Sequence, residues 1–428
     1  MKLPAFMEEL AKQKQNAGKP ADRAPSPEPP KPKKPVRTAV PQGEYYREVS
    51  ARYVSAQVVL LMLLAVFIAV SFLSNTDLLS TDSLVYFVKD LRTSLSLRET
   101  VASETLVYTA GSDNQYVLYR DGLAVLGTEK LTVFSSRGKE IQSDFRALRN
   151  PRLCASGRYL LTYDVGGGGY GVYNSFTCVK RGTAPGNIRA AAVGKTGYYT
   201  LVCDGTTAVS EILLYDASSR LLNRYSLPEY AVCAGISEKT SRLLIAAVLT
   251  ENGVMQTTFL VASPGKDTLD SEWTLENSYP VDCRWLDEET VAVLTTDGWY
   301  VFRDDGSTVA AAALNSSTVR SARIRGDALI VLCDATRYNN FTEIMVFDKA
   351  AQVIYNVTVE GEVTDAVLSG DRLCALAGDT VYVFAPGKDA PELTLTLRQK
   401  YTALLADAGG SVFACGEAKA IRMDLPEP

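Results

Sequence analysis

Residues 290–309 read TVAVLTTDGWYVFRDDGSTV. Two short runs of β-branched and aromatic residues, TVAVL and WYVF, stand on either side of the tight pair Asp297-Gly298, which suits a two-residue hairpin. Asp304-Asp305-Gly306 then turns the chain into a third run. Strand, tight turn, strand, turn and strand within twenty residues predict a β-meander with one face to bury.

The same unit recurs along the chain as LTVFSSRGKEI, YGVYNSFTCV, ILLYDASSRLL, QTTFLVASPG, EIMVFDKAAQVI, VYVFAPGKDAPEL and AIRMDLPE. Each carries a large apolar or aromatic anchor: Phe134, Tyr173, Tyr215, Leu260, Phe302, Phe347, Phe384 and Met423. The intervals of 39, 42, 45, 42, 45, 37 and 39 residues centre near 41. A period of about 40 residues with four short strands is the pattern of a β-propeller. The fold class expected is therefore all-β, an eight-bladed β-propeller over residues 103–428, or seven-bladed if the Gly-rich second repeat is an embellishment. The eighth repeat shows three strands, while SETLVYTAGS (residues 103–112) is a strand with no blade of its own. Pairing the two would close the ring and remove its exposed sheet edges.

Length alone, 428 residues, would suggest about three domains. A ring of repeats instead places most of the chain in one domain. Composition is that of a folded protein, 46% hydrophobic and 22% charged, but the chain has no His. Ser-His-Asp triads, Cys-His dyads and His-bearing zinc sites are thereby excluded, since each needs an imidazole.

Ahead of the repeats, Val54 to Leu73 (VSAQVVLLMLLAVFIAVSFL) is a run of 20 residues without a charge. At 1.5 Å per residue it spans about 30 Å, the thickness of a bilayer's hydrocarbon core. It is read as a transmembrane helix (residues 54–74), a retained anchor with no small-x-small cleavage site after it. Residues 1–53 carry eleven Lys and Arg against six acids, leaving 33 basic and 43 acidic residues beyond them. The positive-inside rule puts this N-terminus in the cytoplasm and the rest outside. Residues 17–43 are rich in Pro and Lys and have little to bury, which predicts a disordered basic tail. Residues 75–102 are read as a stalk with a short helix from Asp82, its apolar positions at Leu84, Phe87, Val88 and Leu91.

Little else in the sequence carries chemistry. The eight cysteines (Cys154, Cys178, Cys203, Cys233, Cys283, Cys333, Cys374, Cys415) form no CxxC and mostly sit one per repeat in apolar runs, as small core residues do. Their spacing leaves any disulfide connectivity unreadable. Gly166 to Gly171 (GGGGYG) lacks a following helix to hold a phosphate, and Asp304-Asp305-Gly306 lacks the later ligands of a calcium loop. Both are read as turns, and neither a metal nor a cofactor site is expected. Asn315, Asn340 and Asn356 head Asn-x-Ser/Thr triplets. Four arginines, Arg152, Arg189, Arg284 and Arg323, fall on predicted innermost strands, where alternate side chains would make a basic funnel for carboxylate, phosphate or an acidic partner loop.

The layout of basic N-terminus, single apolar span and external repeat, with runs such as LAVLGTEKLTVFSSRGKEI, resembles uncharacterised single-pass membrane proteins of Gram-positive bacteria, a domain family of unknown function. More broadly the repeats are similar to WD40-like and quinoprotein-like propellers. They depart from both: no Gly-His to Trp-Asp pattern exists, and only Trp273, Trp285 and Trp299 stand where quinoprotein blades repeat docking tryptophans, so no quinone cofactor is expected. The function expected is a membrane-anchored, extracytoplasmic binding or scaffolding module of the cell envelope, with an envelope protein or glycan as partner and no nucleic acid. Two other classes remain: a carboxylate-based enzyme acting on an envelope polymer, and a ligand sensor signalling through the single helix.

Overall fold

The computed structural model describes residues 105–426, except 121, 176, 316–317, 335–339 and 408–409, together with helical residues 53–54, 57–59 and 61–62. The chain divides into two units, Met1–Val70 and Ser71–Pro428. In the second, thirty-two strands form eight four-stranded antiparallel sheets. Seven are consecutive meanders: blade 1 (115–145), blade 2 (151–183), blade 3 (188–227), blade 4 (230–276), blade 5 (280–313), blade 6 (319–360) and blade 7 (363–396). The Gly-rich second repeat is a full blade, so the count is eight.

Blade 8 is composite. Ala403–Ala406, Ser411–Cys415 and Lys419–Asp424 supply its three inner strands, and Thr105–Val107 adds the outermost, with Thr105 opposite Ile421 and Val107 opposite Lys419. Side chains secure this joint between chain positions some 300 apart. Tyr108 and Tyr116 both donate from Oη to the Gly416 carbonyl, at 2.6 and 2.7 Å, and Asn114 Nδ2 donates to the Glu417 carbonyl at 2.9 Å.

The core is divided into eight clusters, and each lies between two consecutive blades. A sheet in a propeller has an apolar set on both faces, and each face is covered only by the neighbouring sheet. The sequence anchors sit on the third strand of each blade. All eight turn into the seam with the preceding blade: Phe134 between blades 8 and 1, Tyr173 between 1 and 2, and so on to Met423 between 7 and 8. Buried polar groups also bridge seams. Trp299 Nε1 of blade 5 donates to the Asp348 carbonyl of blade 6 at 3.2 Å, and Tyr173 Oη of blade 2 donates to Asp144 of blade 1 at 2.6 Å.

Tight turns follow the expected chemistry with one shift. Gly378-Asp379 is a two-residue hairpin, Ala377 pairing with Thr380, and Gly378 has the positive φ (+63°) that only glycine adopts without strain. The Asp297-Gly298 hairpin turns one residue earlier. Gly298 already belongs to the third strand because Thr295 Oγ1 bonds both Asp297 and the Gly298 backbone, closing the turn on itself.

The tail, the stalk helix and most of the apolar run 54–73 lie outside the described residues. Among the described residues, no helix is long and apolar enough to cross a membrane. The helical residues Val58, Val59, Leu61 and Met62 are half or more exposed.

Because Leu106 is 2% exposed in the seam of blades 8 and 1, Leu106→Ala is expected to lower unfolding free energy by about 2–4 kcal/mol in urea titrations. A loss below about 0.5 kcal/mol would show that the closing strand is an appendage.

Candidate functional site

The first strand of each blade is its innermost, and the successive first strands line the ring's centre. Side chains alternate along them toward the two adjacent seams, as Leu153 and Ala155 do toward blade 1 and Cys154 toward blade 3, and residues of these strands also line the central channel. Two cavities occupy that channel. One, of about 580 Å³, is lined by Gln115, Tyr116, Arg152, Asp282, Arg323 and Arg325 among others. The second, of about 900 Å³, shares Leu153, Ile324, Arg325 and Leu405 with the first and adds Cys154, Arg284 and Asp327.

Three of the four arginines expected at a channel are brought together here. Arg152 (blade 2) and Arg323 (blade 6) line the smaller cavity, and Arg284 (blade 5) the larger. Arg189 does not join them. Its guanidinium donates to the carbonyls of Cys203, Val209 and, across the seam, Ala231 of blade 4, while pairing with Asp204 and stacking 3.9 Å over Tyr230. Arg320 does the same between blades 6 and 7, donating to the Val363 carbonyl and pairing with Asp334. The physical reason is a β-bulge: both residues are the extra one on their strand, so the side chain leaves the channel and turns over the seam.

A fourth channel arginine, Arg325, was not singled out in the sequence. Alternation from Arg323, two residues earlier on the same strand, was the signal that could have found it.

Asp282 and Asp365 pair with these arginines, while Asp327, Asp348 and Lys349 also line the larger cavity. Asp365, whose side chain is 4% exposed, accepts from Arg323 at 3.3 Å and Arg325 at 3.1 Å, and from the Leu404 amide at 2.9 Å. Its oxygens are fully used in holding blades 6, 7 and 8 together. Asp282 lies 3.4 Å from Arg284. Enclosure by the channel walls pushes its carboxyl above the ordinary range, and Arg284 opposes that rise. Cys154, which turns into the seam toward the Ala191 carbonyl, is also in the electrostatic reach of Asp282, Arg284 and Arg152, and burial pushes its thiol up to about 11.

Some of these guanidinium donors are left unpaired. Arg152 has no hydrogen-bond or ionic partner among the described residues, and the Nε groups of Arg284 and Arg325 are buried without an acceptor. Unpaired guanidinium N–H groups in an enclosed site favour an anion, which supplies both charge and acceptor oxygens. Among the described residues no group of His, Cys, Asp or Glu is arranged to hold a metal.

Fold and site together define the class: a closed eight-bladed β-propeller with a basic central channel. Residues 96–390 match a family of unknown function, DUF5711, and the chain belongs to that family. The crystal structure of BamB from Moraxella catarrhalis is similar in fold, with a TM-score of 0.50 and 10% identity over 76% of this chain and 99% of that one. No curated protein matches the sequence.

Replacing Asp365 tests the site's internal balance. Asp365→Ala leaves two arginines uncompensated and the Leu404 amide without its acceptor, so a loss of about 1–3 kcal/mol is expected in urea unfolding. Asp365→Asn keeps an acceptor for that amide and should lose less. Equal losses would mean that the amide bond contributes nothing.

Proposed function

We propose that the protein is a membrane-tethered binding or scaffolding module of the cell envelope, with its propeller outside and its basic tail inside, and that its channel receives an anionic group of an envelope protein or glycan. The observation that carries the binding reading is the set of unpaired guanidinium donors at the channel: Arg152 has no side-chain partner among the described residues, and the Nε groups of Arg284 and Arg325 are buried without an acceptor. The tether is supported by the 20-residue uncharged run and by the charge asymmetry around it. In-cell crosslinking with identification of the captured partner tests the assignment. Recovery of a defined envelope complex supports it, and capture of cytoplasmic proteins on the propeller overturns the topology.

The channel chemistry has its own test, with inorganic sulfate as a probe that does not titrate near neutrality. Arg152→Ala, Arg284→Ala and Arg323→Ala are each expected to weaken sulfate binding about tenfold or more by calorimetry, the effect of losing one charge-assisted hydrogen bond. Arg189→Ala, at the seam, should change stability and leave sulfate affinity unaltered.

The sign of the pH dependence follows from Asp282. Its carboxyl is held protonated above the ordinary carboxylate range, so the channel is most positive at low pH and gains a competing negative charge as pH rises through the elevated value. The groups around it are Arg284, Arg152 and Cys154, with Tyr116, Arg323 and Arg325 lining the same cavity. Sulfate affinity should therefore fall as pH rises through the carboxylate range. In Asp282→Asn the dependence should flatten at the tighter value, and an unchanged pH profile in that variant would remove Asp282 from the site.

A further inference from the structure

The eight cysteines fall into distinct places in the blades. Cys203, Cys333, Cys374 and Cys415 lie on second strands and Cys178 on an outermost strand, whereas Cys154, Cys233 and Cys283 lie on innermost strands. A core-facing side chain on an innermost strand meets the innermost strand of the next blade. Cys154 of blade 2 shows this, donating from Sγ to the Ala191 carbonyl of blade 3 at 3.4 Å. At the seam of blades 4 and 5 the neighbour offers a second thiol. Cys233 and Cys283 are buried in one core cluster, 8% and 2% exposed, on the two innermost strands that face each other across this seam.

Backbone approach explains the meeting. Gly235 lies two residues beyond Cys233, on the same face of its strand. A Cβ built there would stand 3.2 Å from the Cys283 carbonyl oxygen and 3.2 Å from Arg284 Cα. The absence of a side chain at Gly235 lets the two strands approach closely beside the two thiols.

We infer that Cys233 and Cys283 are the partners of a disulfide that joins blade 4 to blade 5. The chemistry is thiol–disulfide exchange with a small disulfide such as oxidised glutathione. One thiolate attacks the reagent to give a mixed disulfide and release a thiol. The second thiolate displaces the remaining thiol, so the pair loses two protons and two electrons and the reagent becomes two thiols. The neighbouring Cys283 thiol and burial hold the Cys233 thiol well above its ordinary value, so little thiolate exists in the closed fold, and the bond forms as the seam assembles. Once made, it clamps the strand that carries Asp282 and Arg284 into the channel. The inference stands apart from the anion-binding reading, because it needs only the seam.

The test uses the full chain in detergent micelles, reduced and unfolded in urea, then refolded in a glutathione redox buffer, quenched with N-ethylmaleimide and mapped by mass spectrometry without reduction. The expected product is a Cys233–Cys283 cross-linked peptide in most molecules, with the other six cysteines alkylated after denaturation. Oxidised chain should melt on the order of 5 °C above the reduced chain, with the difference abolished by Cys233→Ala or Cys283→Ala and kept in Cys203→Ala. The same map is read on chain purified without reductant from an oxidising compartment, which covers a failure to refold. Recovery of both cysteines as maleimide adducts, or of Cys233 joined indifferently to several others, overturns the inference.

Discussion

No blade of this protein has a core of its own. Every apolar cluster lies between two sheets, so each sheet is stable only when both neighbours are in place, and the requirement passes around the ring until it reaches blade 8. There the three-stranded C-terminal sheet is completed by Thr105–Val107, and Tyr108, Phe134, Phe413 and Cys415 become one cluster. An open array of the same blades would leave two apolar faces and a row of unpaired backbone groups in water. Closure is thus the condition on which the other seams depend, and three residues of the N-terminal strand carry it.

The channel follows from the same constraint. Both alternating sets of each innermost strand turn toward a seam, and the inner edges of these strands, ringed about the axis, leave the channel between them. Eight strands around an axis leave room for charged side chains, and those present are mainly arginines from blades 2, 5 and 6. Asp365 neutralises part of that charge while holding Arg323, Arg325 and the Leu404 amide, so its role is largely architectural. Asp282 is the carboxylate left facing the smaller cavity.

The repeat was legible because its anchors are large and regularly spaced. Phe134, Tyr173 and the six others mark the third strand of every blade, and their period survives insertions such as the long hairpin of blade 4, whose second and third strands run to nine residues each. The site was legible only in part. Arg152, Arg284 and Arg323 were found by assuming that innermost strands alternate, and Arg189 was grouped with them on the same assumption. The bulge between Ile188 and Ala190 breaks the alternation by one residue, and nothing in the run NIRAAAV announces it. Cys233 and Cys283 were equally mute, being 50 residues apart in ordinary apolar runs.

By itself the sequence determined the strand period, a ring of eight or seven blades, the closing strand, the absence of imidazole chemistry and the charge asymmetry about the apolar run. These are properties of local pattern and composition, which need no knowledge of what lies across a seam. The tertiary structure alone decided which arginines share a cavity, which are spent on carbonyls of the next blade, which carboxylate is left to titrate and which two thiols meet. Those outcomes depend on bulges and on strand separation between sheets. A one-residue slip redirects a side chain from channel to seam, and a missing Cβ lets two backbones close.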